Sequence, residues 1–198
     1  MKYRWDVINR IIQNRGYKRY LEIGVKDGLC FHQIKCSVKA GMDIKPLIIN
    51  ERVLRMSSDE YFNSPYGREI YEIIFIDGDH REAQVDRDIR NSIRILAPHG
   101  IIVMHDCNPP KEEYANEERQ EKQILWSGTA YRSFLKLRNS DPNLEMFVVD
   151  IDWGCGIIQR GKQELLNISI NYNWADFDNN RVAWLNLISV EEFQRRFQ

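Results

Sequence analysis

The chain is short of the features that most readily classify a protein. Its four cysteines, Cys30, Cys36, Cys107 and Cys155, form no C-x-x-C pair, which argues against a zinc ribbon or a disulfide framework. Reduced thiols and a cytoplasmic setting are the expectation. No segment approaches the ~18 apolar residues of a membrane span. The opening Met-Lys-Tyr-Arg-Trp-Asp lacks the apolar core of a signal peptide, so no membrane association is expected. Lys and Arg total 28 against 29 Asp and Glu, a net charge of −1, so the basic excess that draws nucleic acid is missing. No internal repeat is visible. A chain of 198 residues with 43% hydrophobic content reads as one domain, 1–198, large enough for a proper core.

What is present begins with Tyr20-Leu-Glu-Ile-Gly-Val-Lys-Asp-Gly28 and continues in Gly41-Met-Asp-Ile-Lys-Pro46. A short apolar strand runs into a glycine turn and a helix, and about twenty residues on a second strand ends in Asp43. That layout is a nucleoside-binding βαβ unit, in which the second acid grips a ribose diol. A dinucleotide site would carry G-x-G-x-x-G, its middle glycine letting backbone approach a pyrophosphate. Here the spacing is G-x-x-x-G between Gly24 and Gly28, with Lys26 in the middle glycine's place and Asp27 where phosphates would lie. The loop suits a ligand without phosphates, and a cationic one best.

Glu22-x-Gly24-x-x-x-Gly28 resembles motif I of class I methyltransferases that use S-adenosylmethionine (SAM). Ile73-Ile-Phe-Ile-Asp-Gly-Asp-His80 and Leu96-Ala-Pro-His-Gly-Ile-Ile-Val-Met-His-Asp106 resemble strands four and five of that fold. The wording I-D-G-D-H, then V-M-H-D-C-N-P-P, is similar to the bacterial methyltransferase family 24 group, whose members often act on sugars or other small hydroxylated acceptors. The resemblance runs over residues 18–160. It implies a Rossmann-like α/β fold, with a seven-stranded, mostly parallel sheet that ends in an antiparallel hairpin. It also implies SAM as cofactor and O-methylation of a small-molecule acceptor.

The pattern along the chain agrees. Trp5, Ile8, Ile11 and Ile12 recur at helical spacing over 1–17, giving a helix that covers the sheet edge or the cofactor cleft. Too few residues separate Asp43 from the strand near 52–56 for a full crossover helix, so that helix should be missing or reduced to a turn. Ser57-Ser-Asp-Glu60 has capping-box spacing. Residues 108–128 are polar and charged, either a lid or a solvated helix. Residues 167–198 form a helical tail, with Asp176 as the cap of one helix and Ser189-x-x-Glu192 as the capping box of the last. A homodimer is an open assembly state.

Open α/β sheets bind ligands beyond the carboxyl ends of their strands, and acids recur there: Glu22, Asp27, Asp43, Asp59, Asp77, Asp79 and Asp106. Gathered at one rim they would attract a sulfonium. The resemblance assigns Glu22, Gly24, Gly28, Asp43, Ser58, Asp59 and Asp77 to the cofactor, Asp43 at the ribose and Asp59 at the adenine. Asp77, His80 and His105 are the candidates for catalysis. Relatives that methylate oxygen bind a divalent metal such as Mg²⁺ with strand-end acids, here Asp77 and Asp106. Cys107 is a poor Mg²⁺ ligand, and Asn108 is the substitute in reach. The histidines would alternatively favour a transition metal or act as metal-free bases. Without a cation between them, Asp77 and Asp106 should repel and one pKa should rise. Trp126 and Tyr131 suit stacking on an acceptor, or anchoring the following helix. A nicotinamide-dependent oxidoreductase and a non-catalytic partner subunit are the competing readings.

Overall fold

The structure, a computed structural model, describes residues 1–48, 50, 52–169 and 171–198. Helix α1 (Arg4–Arg15) buries Val7, Ile8, Ile11 and Ile12 and stops at Gly16, whose φ of 68° supplies the left-handed cap. Strand β1 (Arg19–Ile23) follows, then a single helical turn α2 (Leu29–Gln33) and strand β2 (Val38–Asp43). No helix lies among the described residues between β2 and β3 (Val53–Arg55), as the short connection requires. Then come α3 (Ser58–Asn63), β4 (Tyr71–Ile76), α4 (Glu82–Ile95), β5 (Leu96–Met104), α5 (Ala130–Arg138), β6 (Leu144–Val149), β7 (Cys155–Arg160), α6 (Trp174–Leu185), β8 (Leu187–Ile188) and α7 (Val190–Arg196).

The strands form one sheet in the order β3-β2-β1-β4-β5-β7-β6-β8. Strands β1 to β5 pair in parallel, β7 runs antiparallel to β5 and β6, and β8 pairs in parallel with β6. The sheet has eight strands rather than seven. The two residues of β8 lack the length to register as a strand in sequence and owe their conformation to pairing with Val148 and Val149. One further correction concerns a cap. Asn173, not Asp176, caps α6: its side chain accepts from the Asp176 amide, while Asp176 reaches back to the Asn173 amide.

Both faces of the sheet are covered, which is why its central strands are unbroken apolar runs. Alternation sorts their side chains. Leu21, Ile23, Ile74, Ile76, Ile102 and Met104 pack with residues of α3, α4, α5 and α6. Tyr20, Ile73, Phe75, Ile101 and Val103 pack with α1, α2 and α7. From β1 the chain moves outward to β2 and β3, then returns to place β4 on the other side of β1. The β1–β4 boundary is therefore the topological switch point where ligands bind in such sheets. Among the described residues no helix is long and apolar enough to cross a membrane.

Candidate active site

The switch point is built by a close backbone approach. Asp77 N donates to Ile23 O at 2.9 Å, and a Cβ on Gly24 (φ 91°) would lie 2.2 Å from the Asp77 carbonyl oxygen. Only glycine fits there. Lys26 also takes a positive φ, 48°, which turns its amide towards Asp43. The Asp43 carboxylate accepts from Lys26 N at 2.8 Å and from Lys45 N at 2.7 Å, so it pins the glycine loop from the end of β2. The β2–β3 connection folds over that loop. Leu47 N donates to Lys26 O at 2.7 Å, and Ile48 lies where a Cβ on Gly28 would stand.

Glu22, near the end of β1, is 1% exposed. Burial pushes its carboxyl up to about 8, against the opposing hydrogen bond from the Tyr20 hydroxyl. At the end of β3 the capping box forms as spaced: Glu60 N donates to Ser57 Oγ at 3.2 Å and Ser57 N to Glu60 Oε2 at 2.7 Å. It sets Ser58 and Asp59 in the first turn of α3. Ser58 Oγ accepts from Gln84 Nε2 at 3.1 Å, and Asp59 Oδ1 from Arg87 Nε at 3.3 Å, so both tie α3 to α4.

The ends of β4 and β5 bring together the sharpest cluster. His80 Nδ1 lies 3.0 Å from Asp106 Oδ2, and His80 Nε2 lies 3.5 Å from Asp77 Oδ1. His105 Nδ1 lies 3.4 Å from Asp77 Oδ1 and 3.3 Å from Asp106 Oδ1. Asp106 holds a φ of 58°, a strained conformation of the kind that collects at functional sites. Two residues complete the group that the sequence did not reveal. Arg4, the first residue of α1, places Nε 3.4 Å from Asp77 Oδ2 and Nη1 3.3 Å from His105 Nε2. Asp152, in the β6–β7 turn, accepts from Arg4 N at 2.9 Å and from Arg4 Nη1 at 3.1 Å. Its Oδ1 lies 3.7 Å from His105 Nε2.

A signal for Arg4 did exist. A cation in a helix's first turn opposes the helix dipole, so its reason had to lie elsewhere. Asp152 carried none beyond its place before Trp153-Gly154, where Asp152 and Trp153 take φ of 48° and 66°.

Charge in this cluster is internally matched. Burial alone would raise Asp77, but protonated His105, the two histidine hydrogen bonds and Arg4 hold it well below the usual carboxylate range. The expected repulsion between Asp77 and Asp106 is thus relieved, because histidines and an arginine stand among the acids. Burial alone would lower both histidines. Asp106 and Asp77 outweigh it and raise His105 well above 6.5, and Asp77 and Asp106 also raise His80. Asp152 falls to about 2, its burial outweighed chiefly by the His105 hydrogen bond.

Asp77, His80 and Asp106 offer one donor atom each within 4.8 Å of one another. His80 Nδ1 is buried with no hydrogen bond in line although Asp106 is near, and a shared cation would satisfy both atoms. Two carboxylates and an imidazole fit Mn²⁺ or Zn²⁺ better than the all-oxygen preference of Mg²⁺. Asn108 stands apart from this cluster: its amide donates to Asp150 at 3.0 Å and its carbonyl accepts from Arg181 at 2.6 Å. Of the two candidate stacking residues, Trp126 lies over His80 at 5.1 Å and 10°. Tyr131 is a core anchor against Phe177 at 4.5 Å.

Residues 108–128 contain one short 3₁₀ turn, Glu112–Tyr114, and no long helix. The loop closes on itself where Tyr114 O accepts from Ser127 N and Gly128 N at 2.9 and 3.1 Å. Glu118 pairs with Arg81 at 3.0 Å. The space enclosed by the Asp77–Asp106 cluster is about 10 Å³, room for about one water. A concavity of about 700 Å³ lies at the far end of the sheet against Arg10, Lys18 and Lys35. It is open and holds none of these groups, so the chemistry is assigned to the small, closed site.

Such a sheet, with its glycine loop at the switch point, has the Rossmann-like architecture of class I methyltransferases. Residues 47–107 match the family described as a methyltransferase domain, and the fold is shared with SAM-dependent methyltransferases. No curated protein matches the sequence. Among solved structures, a candidate O-methyltransferase from Klebsiella pneumoniae superposes with a TM-score of 0.58 at 14% identity, covering 79% of each chain. The O-methyltransferase TomG from Streptomyces achromogenes, in complex with SAM, gives 0.56 at 10% identity over 78% of each chain. The methyltransferase MycE of mycinamycin biosynthesis, in complex with Mg, S-adenosylhomocysteine (SAH) and mycinamycin VI, gives 0.53 at 16% identity. That match covers 83% of this chain and 50% of MycE.

Proposed function

We propose that this protein transfers the methyl group of SAM to a hydroxyl of a small acceptor such as a sugar. The observation that carries the reading is the meeting, at one switch point, of a phosphate-free glycine loop pinned by Asp43 with the acidic cluster around Asp77. Lys26 in the middle glycine's place and Asp27 beside it count against a pyrophosphate and hence a nicotinamide cofactor, and the carboxylates favour a cationic one. The fold matches with SAM or SAH bound support the same choice.

The chain's own residues divide the chemistry. Asp77, His80 and Asp106 would hold a divalent cation, which when bound lowers the pKa of a coordinated hydroxyl; the Mg in MycE supports this. Both His80 nitrogens face carboxylates, so His80 suits ligation better than proton transfer. With its Nδ1–H turned to Asp77 and Asp106, neutral His105 keeps its lone pair at Nε2. His105 is therefore the base, and Asp152 acts on it through Arg4, which it holds beside that nitrogen. Holding donor and acceptor in line supplies much of the remaining rate gain.

Calorimetry with SAH, with and without Mg²⁺ or Mn²⁺, tests cofactor and metal together. Binding of SAH and not of NAD is expected. Failure to bind SAH in any metal condition would remove the reading.

A further inference from the structure

Arg4 is out of place as a helix residue and well placed as a counter-charge. It stands at the positive end of α1, where an acid would be favoured, and Asp6 already fills that role by accepting from Lys2 N and Tyr3 N at 2.7 and 3.2 Å. The Arg4 guanidinium instead reaches Asp77, Asp152 and His105 at 3.1–3.4 Å. Its Nε is buried with no hydrogen bond in line, so the contact with Asp77 is electrostatic rather than a satisfied pair. Any cationic ligand drawn to these carboxylates meets a cation already in residence.

We propose that Arg4 is the residue by which this site tells a charged cofactor from a neutral one, an inference that rests on the SAM reading above. In the transfer, the acceptor oxygen forms a bond to the methyl carbon as the bond from sulfur to that carbon breaks. Sulfur keeps the electron pair, the sulfonium becomes a neutral thioether, and the acceptor's proton goes to His105 Nε2. The site therefore meets a cation before the reaction and a neutral sulfur after it. While the sulfonium is bound, Asp152 and Asp77 Oδ2, the oxygens that face Arg4, serve the ligand, and Asp77 Oδ1 on the His80 side is left to the divalent cation. Arg4 then gives way and uncovers His105 Nε2. Once the charge is gone, the guanidinium returns to Asp77 and Asp152. Arg4 thus opposes SAM, tolerates SAH, and is a positioning residue for the charge state rather than a group that touches the methyl.

Binding of SAM and of SAH to the full chain, measured by calorimetry in EDTA, would test this with wild type, Arg4→Gln and Arg4→Lys. Arg4→Gln should tighten SAM relative to SAH tenfold or more, and Arg4→Lys should keep a ratio near that of wild type because it restores the charge. Arg4→Met, which keeps the apolar stem, replaces the Gln variant if that one fails to fold. An unmoved ratio in the neutral variant, or a Lys variant that shifts as far as Gln, would overturn the role of Arg4 while leaving the cofactor reading intact. Binding of neither ligand by any of the proteins overturns the cofactor reading and this inference with it.

Discussion

His80 and Asp106 project from the ends of adjacent strands and meet with Nδ1 3.0 Å from Oδ2, yet the imidazole nitrogen has no hydrogen bond in line. A contact at that distance without hydrogen-bond direction is what two ligands of one ion would show. Mn²⁺ should then raise the unfolding temperature of the wild type by mass action, and Asp106→Asn or His80→Ala should lose most of that rise. EDTA should abolish transfer while SAH binding persists. Full activity in EDTA would overturn the metal assignment and leave His105 as a metal-free base.

Asp43 has two tasks at one carboxylate. It pins Lys26 and Lys45, and it is the acid proposed for the ribose hydroxyls. Asp43→Ala should weaken SAH binding by about 1.5–3 kcal/mol, the range for hydrogen bonds to a charged group. Asp59→Ala should cost less, because Asp59 is turned towards Gln84 and Arg87. Calorimetry on the two variants decides the order, and a larger loss at Asp59 would reverse the assignment.

These two acids also mark how far the sequence could be read. Glu22, Asp43, Asp77 and Asp106 were legible because each closes its own strand, and strand, acid and glycine are neighbours in the chain. That no helix lies among the described residues between β2 and β3 was legible from length alone. Arg4 and Asp152 were not, because their partner His105 lies 101 residues from Arg4 and on a different element from either. Asn108 misled for the converse reason. It neighbours Asp106 in sequence, but the turn after β5 carries its side chain to Asp150 and Arg181. In sequence Tyr131 suits either an acceptor's stacking partner or a helix anchor; it is the anchor, facing Phe177, a contact with a tail helix that no local pattern encodes.

Glu22 should make the protein less stable as the solution becomes alkaline. Its carboxyl titrates near 4.5 when exposed and at about 8 when buried by folding. Between those values the folded chain holds a proton that the unfolded chain has released, so stability falls as pH rises through that window. Glu22→Gln keeps an acceptor for the Tyr20 hydroxyl and cannot ionise. The variant should unfold at a higher temperature than wild type at pH 7, and the difference should close towards pH 4.5. A difference independent of pH would show that packing, not charge, sets the effect.

The proposed base gives a second pH test, with the opposite sign. A base must be unprotonated, and Asp106 and Asp77 raise His105 above 6.5 against the effect of burial. Transfer should therefore increase with pH through a midpoint above 6.5, and His105→Gln should remove that rise. Asp152→Asn withdraws one stabilising carboxylate, so the midpoint should move down. A pH–rate profile with its midpoint at or below 6.5 in the wild type would exclude His105 as the base.

The last prediction concerns the loop above the site. Residues 114–127 close on themselves at Tyr114 and touch their surroundings through Trp126 over His80, Glu118 on Arg81, Glu117 accepting from the Thr129 hydroxyl and Tyr114 against Trp153. Few apolar groups anchor the stretch: Ile124 is 87% exposed and Leu125 is 49% exposed. A loop so held opens at small cost. The space enclosed at the cluster, about 10 Å³, is too small for an acceptor, so opening of the loop is the expected route of entry. Amides of residues 111–123 should exchange rapidly in the free protein and slow when SAH and an acceptor bind together, as a closing lid requires. Trp126→Ala should remove the stacking on His80 and speed exchange in the free protein, and should raise KM for the acceptor more than it weakens SAH. Strong protection of the segment in the free protein would mean that it is a fixed wall, and acceptors would then have to enter past α1 and Arg4.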